Sequence, residues 1–186
     1  ADISAANIQA SGITTFRLSG TTGARQITNL ETAFTVSTDA NLAAALTLTD
    51  GTGTAIDNHA TLTNATTTAG TNVFNGQNIT LTGIETLTIN TSGLGTVANT
   101  VGTVAFTADT GGEETLNITG ADAITVGTFD GNILDASTLT AQATGTATLT
   151  MTNASTSAVT ITGSPGDDTI RGDAGGATLS AGAGND

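Results

Sequence analysis

Cysteine, lysine, tryptophan and tyrosine are all missing from this chain of 186 residues. Without cysteine there is no disulfide, no thiolate nucleophile and no sulfur-ligated metal. Five Phe are the only aromatic residues, so large aromatic anchors are nearly absent and one thick core is not expected. A solenoid avoids that difficulty, because each coil buries a few Val, Ile, Leu and Thr side chains against its neighbours. The only cations besides one histidine are Arg17, Arg25 and Arg171, and the formal net charge is −13. Such a surface repels nucleic acid and anionic lipid, so neither is an expected partner. No apolar run approaches the roughly 20 residues of a membrane helix, so no transmembrane segment is expected. His59 stands alone without a ligand pair and reads as a surface residue; Arg17 and Arg25 read as solvated or paired with carboxylates. An enzyme is not expected, since no nucleophile elbow and no phosphate-cradling loop with its lysine occurs.

What is there is threonine, glycine and short alternating stretches. Thr14 to Leu18, Phe34 to Val36, Leu46 to Thr49, Thr61 to Thr63, Asn78 to Thr82, Glu85 to Asn90 and Val101 to Phe106 all read as strands. So do Thr115 to Thr119, Ala123 to Gly127, Thr138 to Ala141, Thr146 to Thr152 and Ala158 to Thr162. β-Branched side chains suit this pleated surface. Only 10% of residues are charged, and the regular alternation argues against disorder. The spacing of Ile3, Ala6 and Ala10 permits a short helical cap, and a sandwich-like start is an alternative for the irregular upstream strands. The fold class expected is all-β: a parallel β-solenoid (β-helix) that runs into a glycine-rich roll. Glu31, Glu85 and Glu114 each precede a Thr and an apolar strand, which suggests solvated carboxylates at the edges of successive coils, with calcium ligation as the alternative.

The C-terminal residues carry the most specific pattern. Gly163-Ser164-Pro165-Gly166-Asp167-Asp168-Thr169-Ile170-Arg171 matches G-G-x-G-x-D-x-U-x at Gly163, Gly166, Asp168 and Ile170. Gly172 to Ser180 keeps Gly172, Gly175 and Leu179 but has Ala177 in place of the aspartate, and Ala181 to Asp186 matches at Gly182, Gly184 and Asp186. Glycine permits the tight turns, and the other half of each unit makes a short strand with its apolar residue inward. Two units complete one coil, so Asp168 and Asp186 stack on one edge. Their carboxylates, with carbonyl oxygens of Gly163, Pro165 and Gly166 below and Ala181, Ala183 and Gly184 above, form a hard oxygen cage suited to Ca2+. Two further calcium candidates are the loop flanked by Asp50 and Asp57 and the corner bracketed by Asp130 and Asp135.

Residues 163–186 resemble the RTX (hemolysin-type calcium-binding) repeats of bacterial proteins exported by type I secretion. Upstream, Gly83-Ile84-Glu85-Thr86-Leu87-Thr88-Ile89, Gly112-Glu113-Glu114-Thr115-Leu116-Asn117-Ile118, Asn29-Leu30-Glu31-Thr32 and Ile133-Leu134-Asp135-Ala136-Ser137-Thr138-Leu139 resemble the Thr/Ala/Gly-rich body of RTX-type surface-layer (S-layer) proteins. The resemblance implies a body over 1–162 and a calcium-binding β-roll over 163–186. It also implies export to the cell surface, folding on external Ca2+ and self-assembly of identical subunits into a lattice or filament. Any hold on cell-surface polysaccharide falls to regions outside this chain. The chain begins Ala1-Asp2-Ile3-Ser4, without Met or a cleavable apolar core, and stops within a nonapeptide, which suggests an excised portion of a longer protein. The alternative is an RTX-bearing segment of a large secreted adhesin or hydrolase. Recurrent Thr-x-Thr also brings ice binding into view, although Thr-rich strands are simply good strands.

Overall fold

Threonine alternating with Leu, Ile or Val places hydroxyls on one face of a strand and aliphatic groups on the other. Strands of that kind bury themselves by stacking in two layers, apolar faces inward. The computed structural model describes residues 7–19, 23–30, 32–51, 58–68, 71–91, 98–107, 113–140, 149–153, 155, 158–172 and 175–186. It is a parallel β-solenoid with no helix among the described residues.

Successive strands alternate between two sheets, so each coil gives one strand to each. The first sheet runs in order β1 (Asn7–Gln9), β3 (Arg25–Leu30), β5 (Leu46–Asp50), β7 (Ile79–Thr82), β9 (Asn99–Thr107), β11 (Ile124–Asp130), β13 (Leu149–Asn153) and β15 (Thr169–Arg171). The second runs β2 (Thr15–Leu18), β4 (Ala33–Thr38), β6 (His59–Asn64), β8 (Thr86–Asn90), β10 (Thr115–Gly120), β12 (Ile133–Leu139), β14 (Val159–Thr162) and β16 (Ala177–Ser180). All pairings between these strands are parallel.

Register turns the alternation into columns along the solenoid axis. Phe34, Ala60, Leu87, Leu116, Leu134 and Ile161 stack inward in the second sheet, all buried. Beside them Thr15, Thr35, Thr61, Thr88, Asn117, Asp135, Thr162 and Ser180 form an outward polar column. Coil length varies widely, since corner bonds join residues 18 apart at Glu114–Asn132, 27 apart at Asn58–Glu85 and 33 apart at Leu42–Asn75. The strands hold a common spacing of about 4.8 Å, and the corners absorb the difference.

Several sequence expectations change here. Gln9 and its neighbours form β1, so the chain is strand rather than helix at the end of the supposed cap, and parallel pairing from β1 onward replaces a sandwich-like start. Strand β3 was not expected: Asn29 has φ of 54°, and the pairing slips between Ile27 and Leu30, a bulge that hides the alternation. Strand β12 begins at Ile133 instead of Thr138. Leu179 does not point into a core. It is 50% exposed, because β16 is the edge strand and neighbours only β14. Arg25 is buried rather than solvated, and no carboxylate among the described residues pairs with it. It occupies the column of Leu46, Ile79 and Val104, buried, with its Nε lacking a partner. Among the described residues no helix is long and apolar enough to cross a membrane.

Arg17 meets the expectation of a carboxylate partner. Its Nε donates to Asp39 Oδ2 at 3.0 Å, its Nη2 reaches the same oxygen, and Ser19 Oγ donates to it at 3.2 Å. These bonds, chiefly that from Arg17, hold the Asp39 carboxyl below its ordinary value of 3.8. A depressed folded pKa means that the stabilisation is complete above the unfolded value and is lost as pH falls through the folded one. The Arg17 side chain is 67% exposed, so screening keeps the effect small. Arg17→Gln should lower stability slightly at neutral pH and not at all once Asp39 is protonated. Urea unfolding at the two pH values checks this, and an equal loss at both would contradict it.

Candidate functional site

A parallel solenoid leaves main-chain amides at its corners, where no strand partner is in line, and these need acceptors. Polar side chains supply them from the neighbouring coil. Asn78 Oδ1 accepts from Thr103 N at 2.8 Å, Asn72 Oδ1 from Thr100 N at 3.0 Å, and Asn132 Oδ1 from Glu114 N at 3.0 Å. Glu85 Oε2 accepts from Asn58 N at 2.7 Å. Glu85 is buried, which corrects its reading as a solvated edge carboxylate. Glu114 is half-buried, and Glu31 lies outside the described residues.

The glycine-rich turns obey the same logic more tightly. Val159 pairs with Ala177 and Thr162 with Ser180, which sets turn 181–186 directly on turn 163–168. An added Cβ at Gly163 would stand 2.0 Å from Ala181 O, one at Gly182 2.0 Å from Ser164 O, and one at Gly184 2.6 Å from Gly166 O. Gly182 and Gly184 also have φ of 107° and 131°. Only glycine allows main chain to approach main chain this closely in that conformation. Between the turns lie the carbonyl oxygens of Ser164, Gly166 and Ala181.

Asp168 is 5% exposed. Its Oδ1 accepts from Leu149 N at 2.8 Å and from Ser164 Oγ at 2.6 Å, while Oδ2 accepts from Ser164 N at 2.5 Å. Asp186 repeats the placement one coil on: its Oδ1 accepts from Asp168 N at 2.9 Å, across 18 residues. Asp167 Oδ1 accepts from Asn185 N at 2.8 Å, again across 18 residues. The carboxylates of Asp168 and Asp186 are therefore staggered along the axis, each capping an amide of the coil before it.

Ser164 is the residue that sequence reasoning missed. It is 1% exposed and its Oγ also accepts from Gly166 N at 3.1 Å. The available signal was its departure from glycine at the second position of the nonapeptide. Pro165 and Ala183 are exposed at the turn surface, while Gly163 and Gly166 are buried.

The other expected ligands are dispersed. Asp130 is exposed at the end of β11, in the first sheet, whereas Asp135 lies in β12 of the second and turns its Oδ1 on Ser137 N at 2.9 Å. Asp50 ends β5 beside Gly83, where an added Cβ would stand 3.3 Å from Asp50 Cβ; Asp57 lies outside the described residues. His59 is exposed on the outer face. Among the described residues no three acidic, histidine or cysteine side chains converge. An ion held here would take most of its oxygens from the main chain. The donor set at the stacked turns, carbonyls plus Asp168 and Asp186, is oxygen only and fits a hard divalent cation. Comparison with protein-family models, with curated proteins and with solved structures found no match.

Capping gives Asp168 a structural duty that is independent of any ion. Asparagine would place an amide donor or lose an acceptor against Ser164 N. Asp168→Asn should cost about 1–3 kcal/mol in the presence of chelator, the price of a buried unsatisfied donor. Urea unfolding in chelator measures it; an unchanged midpoint would mean that the carboxylate caps nothing.

Proposed function

We propose that this chain is part of an extracellular, self-assembling structural protein, a surface layer or surface filament, whose folding and lattice are stabilised by Ca2+. The observation that supports this most is the direct stacking of turn 163–168 on turn 181–186, with Asp168 and Asp186 at the same position of successive coils. In the proposal Ca2+ is held by those two carboxylates with carbonyl oxygens of Gly163, Pro165 and Gly166 and of Ala181, Ala183 and Gly184. The ion supplies positive charge and several oxygen bonds at once. The chain's own residues set how the turns meet: Gly163, Gly182 and Gly184 admit the close approach, and Ser164 fixes the Asp168 carboxylate.

The rest of the chain suits an assembly of identical subunits. Its outer faces carry columns of Thr, Ser and Asn, with Thr103 and Thr128 bonded across adjacent strands at 2.7 Å. Such faces are regular and offer many small polar groups for repeated contacts. A net charge of −13 drives copies apart until cations intervene. Export through a type I system and folding outside the cell, where Ca2+ is plentiful, complete the proposal.

Chelation is the direct test. Excess chelator should lower the thermal unfolding midpoint measured by circular dichroism and disperse ordered arrays seen by negative-stain electron microscopy; restoring Ca2+ should reverse both. Arrays and midpoint that persist unchanged in chelator would overturn the proposal.

A further inference from the structure

The tight corner Gly83-Ile84-Glu85 between β7 and β8 pairs the main-chain oxygens of Gly83 and Glu85 with donors but leaves one buried side-chain oxygen without one. Glu85 is 8% exposed and Asn58, from the preceding coil, is 1% exposed. Asn58 N donates to Glu85 Oε2 at 2.7 Å, and Asn58 Nδ2 donates to Gly83 O at 2.9 Å. The second bond holds the Asn58 side chain against the corner, yet its Oδ1 is buried and accepts no hydrogen bond. Native interiors rarely leave such an oxygen unpaired.

The charge is as lopsided as the hydrogen bonding. A buried carboxylate calls for a positive partner. The bond described to the Glu85 carboxylate is the one from Asn58 N. Of the cationic residues, Arg17 is engaged by Asp39, Arg25 bonds Ala24 O at 3.3 Å, and Arg171 belongs to β15, far along the stack. His59 follows Asn58 but is exposed on the outer face. The remaining titratable groups are negative. Asp50 lies beside Gly83, and Glu113 and Glu114 precede Thr115, whose N donates to Glu85 O at 2.7 Å.

We propose that this corner is a separate Ca2+ site, with Asn58 Oδ1 and the Glu85 carboxylate as its side-chain ligands. A divalent cation answers both deficits together, since it takes the unpaired amide oxygen and balances the buried charge. Asp50 contributes further negative charge from the neighbouring coil. Amide and carboxylate oxygens are the ligands that Ca2+ selects. The site does not depend on the glycine-rich turns, being built from a different corner of the solenoid. Its role is to bind the coil of β6 to the coil of β8 where the connections are of unequal length.

Equilibrium dialysis with Ca2+ as the probe tests it, because a chain without Trp or Tyr is a poor sensitiser for luminescent lanthanides. Glu85→Gln keeps an oxygen for Asn58 N, so the fold should survive while one ion is lost or bound at least tenfold more weakly. Asp186→Asn, which alters only the turns, should leave that ion in place. If Glu85→Gln binds as many ions as the unaltered chain with equal affinity, the corner site is wrong, whatever Asp186→Asn does. If Asp186→Asn alone changes nothing, the turn site fails and this one stands. Asn58→Asp gives a second reading should Glu85→Gln unfold. Combined with Asp186→Asn, so that the turn site does not contribute, its thermal midpoint should still be higher with Ca2+ than with chelator, whereas a midpoint that Ca2+ does not move would overturn the site.

Discussion

Every coil of this molecule is held by main-chain bonds to the coils beside it. Parallel strands about 4.8 Å apart cannot bury anything alone; the aliphatic columns exist only because register repeats. Phe34, Ala60, Leu87, Leu116, Leu134 and Ile161 are buried together through pairings that join one coil to the next. Where the strands end, the connections differ in length and main-chain amides fall out of line with their neighbours. Side chains of Asn, Asp and Glu then reach along the axis to accept from them. The composition follows from this: threonine and aliphatic residues for the strands, short acceptors and glycine for the corners.

Capping also explains how a chain with so few cations carries carboxylates in its interior. Asp168 is satisfied by two main-chain amides and a hydroxyl, so its surroundings supply dipoles where a basic side chain would ordinarily stand. Glu85 shares that device with only Asn58 N described, and the unpaired Asn58 Oδ1 beside it makes the corner richer in acceptors than in donors. The two acidic corners thus differ in kind. One is closed by its own hydrogen bonds and lined by carbonyls of the facing turn; the other is left with one buried amide oxygen unpaired.

Much of this was legible in the residues. Thr61-Leu62-Thr63, Thr80-Leu81-Thr82 and Thr86-Leu87-Thr88 alternate without interruption, and each lies in a strand. The spacing of Asp168 and Asp186 placed them on successive coils, as the bond between them shows. What was hidden has local causes. The bulge at Asn29 broke the alternation of β3, and Asp135 sitting outward within β12 looked like the end of a turn. The burial of Glu85 and Arg25 depends on which coil lies next, and irregular offsets between coils conceal that order. Leu179 follows the nonapeptide pattern yet stands exposed, because burial of that position needs a neighbour on each side and β16 has one.

The central claim of the proposed function is that stacking of the glycine-rich turns is coupled to a divalent cation far more strongly than the aliphatic columns over 113–140 are. Hydrogen exchange read by mass spectrometry over peptides from 163–186 and from 113–140, with Ca2+ and with chelator, tests this most directly. The account predicts that Ca2+ slows exchange strongly in 163–186 and far less in 113–140. Equal exchange of 163–186 in both conditions would contradict it.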